Sequence, residues 1–253
     1  MYEFVTVRVA GWLAAVGRIG HFVSDAARGS RDVRSWAGLA AFQMRRIGVQ
    51  SLPLALLIAV FTGVVLALQA SYSLSGATPI YFVGTLVEKT VLMELAPVLT
   101  GLALAGRVGA NIAAELGTMR VTEQVDALET LAYDPYSYLV VPRILAATLM
   151  FPVVVALAMG TGVVAGWVTS VWQLDLSTND YVKGLRIFFQ PKDVWYGLVK
   201  SLSFGLAIGL IGCMKGLATS GGAEGVGRNT TQAVVIGAGM ILVLDAFWAV
   251  VLL

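Results

Sequence analysis

The sequence predicts an all-α integral membrane protein with about five transmembrane helices, and three observations carry that prediction. Hydrophobic residues make up 58% of the 253 residues, and the mean hydropathy is +0.82. Only 13% of the residues are charged, whereas a soluble domain carries about 25% and needs them for its surface. The apolar residues also gather in stretches of about 20, the length at which a helix crosses the hydrocarbon core of a bilayer.

Composition also excludes several functions. The net charge of +2 is too small for the basic surface that a nucleic-acid-binding protein needs, so no nucleic acid is expected as a partner. Cys213 is the single cysteine and His21 the single histidine, which excludes an internal disulfide and a multi-histidine metal site. We therefore predict no metal and no cofactor in this chain, with Cys213 as a small apolar filler and His21 at the surface.

Five stretches are apolar enough to span a membrane as helices, the form in which lipid leaves no backbone hydrogen bond unmade. They cover residues 52–70, 82–105, 139–171, 194–218 and 233–253. The third is long enough to tilt or kink, and Pro152 lies within it.

Residues 34–47 precede the first span and mix Trp36 and Phe42 with Arg45 and Arg46. This pattern favours an interfacial helix in the membrane surface over a cytosolic surface helix. We divide the chain into a cytoplasmic or membrane-surface segment, residues 1–33, and a membrane domain, residues 34–253. With an N-terminus in the cytoplasm, most Lys and Arg residues fall on the cytoplasmic side, as the positive-inside rule requires. A short helix is expected in the outer loop, at about residues 178–188.

The polar stretch from residue 115 to residue 135 lies between the second and third spans, on the predicted cytoplasmic side. Thr122 is a suitable N-cap, and the helix should end at Asp134, because the residue before a proline disfavours the α region. Residues at helical spacing would form one apolar stripe: Val121, Val125, Leu128 and Ala132. Such a short amphipathic helix either docks in a groove on a partner or packs on its own protein.

Three charged residues lie within the spans, namely Glu94, Lys200 and Asp245. A charge at the centre of a bilayer costs roughly 2.5–3.5 kcal/mol on insertion scales, so such residues face a cavity or pair with one another. The three therefore form either a functional network or a buried ion pair that fixes helix packing. Glu88 and Lys89 are expected near the outer interface, where hydration is cheap.

Glycines recur on one face of the fourth span and again in the third. Small residues at this spacing let helices approach closely in membranes, and we favour packing within the subunit over a dimer seam. The positions are Gly205, Gly209, Gly212 and Gly216 in the fourth span, and Gly162 and Gly166 in the third.

Three runs of the sequence carry a resemblance to a known family. They are "MELAPVLTGLALAGRVGANIAAELGTMRVTEQVDALETLAYDPYSYLVVPRILA", "GAEGVGRNTTQAVV" and "LDAFW". The chain from about Trp36 onward resembles the MlaE permeases, the membrane subunits of ABC systems that move lipids with MCE-domain proteins. In that family the stretch matching residues 117–135 is a coupling helix seated in a cleft of the cytoplasmic ATPase. The candidate coupling residues are Glu115, Arg120, Glu123, Gln124, Asp126 and Glu129.

The resemblance also implies the rest of the assembly. It implies a homodimer in a bacterial inner membrane, together with an ABC ATPase, an MCE-domain protein and a small STAS-type accessory protein. Glycerophospholipid is the implied substrate. If the charged residues within the spans form a functional network, Glu94, Lys200 and Asp245 lie in the lipid pathway. Lys200 would then meet a lipid phosphate, and Glu94 would hold Lys200 when lipid is absent. Met93 stands where the best-known members have an arginine.

The chain itself is not expected to be an enzyme. It lacks the G-x-x-x-x-G-K-[ST] phosphate loop, and residues 221–227, "GGAEGVG", read as a flexible turn between spans. ATP would therefore be used by the partner subunit. Two other classes stay open: a secondary transporter, which needs internal repeats and broken helices, and a membrane enzyme, which needs a grouped catalytic set.

Overall fold

The computed structural model describes residues 2–74 and 79–252, with side chains described for residue 14 and for residues 17–74 and 79–251. The regular elements in these ranges are all helices, and five helical segments are long and apolar enough to span a membrane. These segments are Val33–Ser73, Phe82–Val121, Tyr136–Gln173, Pro191–Leu217 and Gly222–Val251. The all-α membrane class predicted from the sequence is confirmed.

We number the α-helices in chain order. They are α1 (Tyr2–Gly29), α2 (Val33–Ile47), α3 (Leu52–Ser73), α4 (Phe82–Thr90), α5 (Ala96–Leu104), α6 (Ala110–Val121), α7 (Gln124–Thr130), α8 (Val141–Gln173), α9 (Thr178–Ile187), α10 (Pro191–Leu217) and α11 (Gly222–Leu252). Three π-helical turns, Val91–Leu95, Ala105–Gly109 and Tyr136–Val140, join α4 to α5, α5 to α6 and lead into α8.

The N-terminal part places two helices before the first span. Helix α2 matches the surface helix predicted for residues 34–47, and its buried residues Ala40, Gln43 and Ile47 share the face that packs against α8. Gly48 and the short turn Val49–Ser51 separate α2 from α3. Most of the predicted cytoplasmic or membrane-surface segment, residues 1–33, is the single helix α1.

The second span runs further than the sequence predicted. Its helix continues from Phe82 to Val121 instead of ending near residue 105, because polar side chains beyond that point pair with other helices or reach the surface. Thr122 is therefore not an N-cap, and its hydroxyl donates to the carbonyl of Thr118 at 2.8 Å. Glu115 and Arg120 consequently belong to α6 rather than to the loop helix.

The loop helix α7 is shorter than predicted and is bounded by two left-handed residues. Glu123 has φ +60° and Ala132 has φ +62°, so the chain turns sharply on either side of Gln124–Thr130. Val125 is buried and Leu128 packs against the core. Val121 and Ala132 lie outside α7, so the predicted four-residue stripe on one helix is wrong.

The fifth span begins earlier than predicted. Helix α11 starts at Gly222, and Gly225 and Gly227 lie inside it, so the flexible turn expected for residues 221–227 is wrong. A glycine costs only about 0.5–1 kcal/mol in a helix. The start of α11 is also tied to the preceding turn, because the buried Asn229 amide donates to Thr219 Oγ1 at 3.0 Å. The predicted final residue, 253, lies outside the described residues.

The remaining elements follow the prediction closely. Helix α8 runs through Pro152 for 33 residues, and α9 is the short helix expected near residues 178–188. The fully buried Tyr181 holds α9 in place by donating to the carbonyl of Val163 at 3.0 Å, and burial raises the pKa of its phenol. Cys213 is fully buried and His21 is exposed.

All six glycines singled out in the sequence lie where helices of this one chain meet. A Cβ on Gly205 would lie 2.5 Å from the carbonyl oxygen of Ala147 on α8, and one on Gly216 would lie 2.6 Å from Leu116 Cβ on α6. Helix α10 therefore approaches α8 and α6 almost backbone to backbone. The other contacts are Gly209 with Ile144, Gly212 with Ile112, Gly162 with Val91, and Gly166 with Val87.

Candidate functional site

The three charged residues predicted within the spans meet at one point. Lys200, on α10, is fully buried, and its Nζ lies 2.8 Å from each carboxylate oxygen of Glu94 and 2.7 Å from Oδ1 of Asp245. The same nitrogen donates to the carbonyl of Met93 at 3.3 Å. Helices α10 and α11 and the π-helical turn Val91–Leu95 thus each supply one charge. We call Glu94, Lys200 and Asp245 the Lys200 cluster.

Two aromatic residues missed in the sequence support this cluster. Tyr196 lies one turn before Lys200 on α10, with its ring centre 4.4 Å from Nζ, and its hydroxyl donates to Glu94 Oε1 at 3.4 Å. Trp248 Nε1 donates to Ser203 Oγ at 2.9 Å and so ties α11 to α10. The i, i+4 spacing of Tyr196 and Lys200 was the local signal that could have revealed the first contact.

The cation of the cluster is buried, whereas its two carboxylates are partly exposed. The Lys200 side chain is 0% exposed, whereas those of Glu94 and Asp245 are 38% and 23% exposed. One cation against two carboxylates leaves an excess of one negative charge if all three are ionised. Glu94 also lies in a π-helical turn, a feature that is frequent at functional sites.

Two crevices lie beside the cluster. One, of about 370 Å³, is lined by Met93, Tyr196 and Trp195, among others. The other, of about 320 Å³, lies between α3 and the second span and is mostly apolar, with Phe61 and Leu95 in its wall. Met93 and Leu95 flank Glu94 in sequence, and each lines one of the two crevices.

A second charged group lies at the junction of α2, α6 and α8. Glu115 Oε2 is 2.7 Å from Arg46 Nη1, and its Oε1 is 2.8 Å from Arg143 Nη2. Arg143 is 4% exposed and also donates to the carbonyl of Leu139 at 2.7 Å. We call Arg46, Glu115 and Arg143 the Glu115 cluster. The sequence placed Glu115 among the coupling residues, and the structure places it between two arginines of its own chain.

The other candidate coupling residues surround α7. Arg120 Nη1 contacts Asp126 Oδ1 at 2.5 Å, and Gln124 donates to Thr122 Oγ1 at 3.1 Å. Glu123 and Glu129 are exposed and make no ion pair with the residues that the structure describes. Next to them, Leu131 and Tyr133 are 68% and 53% exposed. The two apolar side chains were missed in the sequence, because no partner for them can be read from a single chain.

The expectation for Glu88 was wrong. Lys89 does pair with Asp193, at 2.5 Å, and Asp193 also accepts from the backbone N–H of Gln190 at the start of α10. Glu88, however, is only 3% exposed, and neither carboxylate oxygen has a hydrogen-bond partner among the described residues. The Glu88 side chain therefore lies inside the protein rather than in water, because adjacent positions on a helix face in different directions.

These features define a class: a multi-pass helical membrane protein with a charged network inside its spans and a short exposed helix between two of them. The family described as permease MlaE matches residues 40–251. The chain belongs to this MlaE permease family, and it is therefore an ABC transporter permease, a subunit that works with a separate ATPase.

Individual relatives agree with this assignment. A probable ABC transporter permease of Rickettsia prowazekii is 44% identical over 201 residues, which are 79% of this chain and 78% of the relative. A probable ABC transporter permease of Synechocystis is 45% identical over 195 residues, 76% and 73% of the two chains. Arabidopsis thaliana protein TRIGALACTOSYLDIACYLGLYCEROL 1, chloroplastic, is 34% identical over 203 residues, 80% of this chain and 58% of the relative.

Proposed function

We propose that this chain is the lipid-conducting subunit of an ABC transporter, and that it moves phospholipid between a bacterial inner membrane and an MCE-domain protein. The Lys200 cluster is the observation that carries this proposal. Each of its charges costs roughly 2.5–3.5 kcal/mol at the bilayer centre. Such a cost is typical of residues that act on a substrate inside the membrane.

The cluster is suited to act as a gate for a lipid headgroup. Lys200 is held by both carboxylates and is sealed from solvent, so it offers no free positive charge to an entering phosphate. A phosphate that replaces Glu94 or Asp245 would pull α10 away from the π-helical turn or from α11. Headgroup binding and helix movement are thereby coupled, because the lipid favours the state in which Lys200 has changed partners.

A lipid substrate also fits the surroundings of the gate. The crevice next to Leu95 is mostly apolar, as the acyl chains of a lipid require. The Arabidopsis relative carries a diacylglycerol lipid in its name, which supports a lipid as the transported molecule here. Exposed apolar side chains on α11, such as Val235, Val243 and Phe247, fit contact with a second copy in a homodimer. The MCE-domain and STAS-type partners follow from the family resemblance.

The exposed surface of α7 is the part that we assign to the ATPase. Glu123 and Glu129 offer negative charge, and Leu131 and Tyr133 offer apolar surface beside it. Charged groups at the rim and apolar groups at the centre are the usual composition of a docking patch. The ATPase would hydrolyse ATP, and α7 would transmit its movement to the spans through α6.

The test is co-purification followed by lipid transfer. The chain is expressed with its ATPase, and the ATPase and bound phospholipid are measured by mass spectrometry. We expect Glu123→Lys with Glu129→Lys to lose the ATPase and keep the lipid, and Lys200→Gln to keep the ATPase, to bind less phospholipid than the wild type and to lose lipid transfer. Asp175→Lys, on the loop before α9, is the control and should lose neither.

Other outcomes would favour the other classes. If the purified chain moved lipid or another solute without the ATPase, a secondary transporter would be the better assignment. A chemical conversion by the chain alone would indicate a membrane enzyme. ATP-dependent transfer of phospholipid to an MCE-domain protein would exclude both.

A further inference from the structure

A second polar site lies away from the Lys200 cluster, where α2 gives way to α3. The residues that line this crevice include Arg46, Arg107, Gln43, Ser51 and Asn111. Its volume is about 20 Å³, which is room for one oxygen atom of a ligand, because a single water needs about 10–15 Å³ on the same measure. We propose that this crevice, the Arg107 site, binds a phosphate oxygen of a membrane lipid.

The crevice carries more positive than negative charge. Arg107 makes no hydrogen bond or ion pair with the described residues, and its side chain is exposed. Glu115 also lines the crevice, and its carboxylate is already shared by Arg46 and Arg143. The lining residues therefore carry two positive charges and one negative charge, which leaves one positive charge in excess. Arginine binds phosphate through paired N–H groups, so a phosphate would supply the missing charge.

Ser51 supplies an independent indication of a ligand. It lines the crevice, it is fully buried, and its hydroxyl has no partner among the described residues. A serine just before a helix usually accepts a hydrogen bond from a backbone N–H of the first turn. Here Ser51 has helical backbone angles, φ −92° and ψ −13°, and makes no such bond. A buried hydroxyl without a partner is costly, and an inserted phosphate oxygen would satisfy it.

The position of the crevice indicates that the phosphate belongs to a lipid. Ser51 directly precedes Leu52, the first residue of the apolar helix α3, so the crevice lies at the level where headgroups meet hydrocarbon. Arg107 and Asn111 are exposed at its mouth, and Val49 exposes an apolar side chain two residues before Ser51. A ligand therefore inserts one oxygen and leaves the rest of its structure in the headgroup layer. This site does not depend on transport by the Lys200 cluster.

The experiment is a titration of the purified full-length chain with dioctanoyl phosphatidate, read by native mass spectrometry. We expect Arg107→Gln to weaken one binding event by about tenfold or more, the effect of one charge-assisted hydrogen bond. Arg45→Gln is the matched control, since Arg45 is exposed one position before Arg46 and does not line the crevice. Equal binding by the wild type and Arg107→Gln would overturn the proposal.

Three further arms identify the ligand and the site. Dioctanoylglycerol, which has no phosphate, should not compete, and competition from it would refute a phosphate site. If inorganic phosphate displaced the lipid at equal concentration, the site would belong to free phosphate and the lipid assignment would be wrong. Lys200→Gln should leave the Arg107-dependent event in place, which separates this site from the proposed gate. If Arg107→Gln lowers the melting temperature, Arg107→Lys is the second variant. It keeps the positive charge but lacks the planar guanidinium that can donate two parallel hydrogen bonds to a phosphate, so it should still weaken binding.

Discussion

The Lys200 cluster and the Glu115 cluster have the same arrangement of three charges, with the signs reversed. The first surrounds one sealed cation with two carboxylates, and the second surrounds one carboxylate with two guanidinium groups. The central charges differ in burial, because Lys200 is 0% exposed and Glu115 is 31% exposed, whereas each cluster also holds one residue that is 38% exposed, Glu94 in the first and Arg46 in the second. The first lies within the spans and the second where α2, α6 and α8 meet near the end of the second span.

The two clusters differ in the sign of their excess charge, and they should therefore interact differently with a phosphate. A phosphate that approaches Lys200 must displace a carboxylate, so binding there is tied to a rearrangement. A phosphate that approaches the neighbourhood of Arg107 displaces nothing. Depth separates them as well, because charges near water are screened by salt and buried charges are screened much less.

The largest expected effect comes from removing the sealed cation. Lys200→Met leaves Glu94 and Asp245 without their cation, and breaking a buried pair in this way costs about 3–5 kcal/mol of unfolding free energy. Thermal unfolding in detergent measures it, with the exposed Lys192→Met as control. Adding Glu94→Gln and Asp245→Asn to Lys200→Met should restore much of the loss. A Lys200→Met protein as stable as the wild type would show that the cluster does not hold the spans together.

A smaller loss is expected in the cluster nearer to water. Glu115→Gln keeps a hydrogen-bond acceptor for Arg143 and removes the charge, so we expect a loss of about 1–2 kcal/mol. This loss should shrink as salt is added, whereas that of Lys200→Met should not. Glu129→Gln, an exposed carboxylate without an ion pair in the described structure, is the control. A loss as large as that at Lys200 would mean that depth does not set the difference.

Glu88 shows what a buried carboxyl does without a hydrogen-bond partner. Its two oxygens have no partner among the described residues, so Glu88→Leu should raise the unfolding free energy by about 1–2 kcal/mol. Glu88→Gln should gain less, because it leaves a polar group in the same place. Thermal unfolding at several salt concentrations is the measurement. If Glu88→Leu melts lower than the wild type, the carboxyl has a partner in the assembled transporter.

The smallest effect is expected outside both clusters, at the end of α7. Ala132 is held at φ +62°, a conformation that costs residues other than glycine about 1 kcal/mol. Ala132→Gly should therefore stabilise the protein by up to about 1 kcal/mol, while Ala127→Gly inside α7 should destabilise it by a similar amount. Differential scanning of the two variants is the check. Equal effects of the same sign would mean that α7 does not keep this turn in the detergent-solubilised protein.

The sequence predicted the spans well because hydropathy acts locally. It also brought Glu94, Lys200 and Asp245 to attention, because a charge stands out in an apolar helix. The ends of the second and fifth spans were wrong because a helix can continue through polar residues or glycines once tertiary contacts support it, as Asn229 does for α11.

The Glu115 cluster could not be predicted from the sequence. Arg46 and Glu115 are 69 positions apart and Arg143 is 28 positions from Glu115, so no local spacing links them. The burial of Glu88 could not be predicted for a similar reason, since only the packing of the helices decides which of two adjacent charged residues faces water. The role of α7 stays a prediction, because it depends on a surface of another protein.

The order of the three residues of the Lys200 cluster along the chain matters while the protein is being synthesised. The ribosome makes Glu94 first, Lys200 next and Asp245 last. When the helix with Lys200 enters the bilayer, an acid is already there to meet it, and when the helix with Asp245 follows, its cation is already in place. Only Glu94 must wait in the membrane alone, and it lies on a partly open face. The sequence acid, cation, acid thus lets the later two charges be inserted next to a counter-ion.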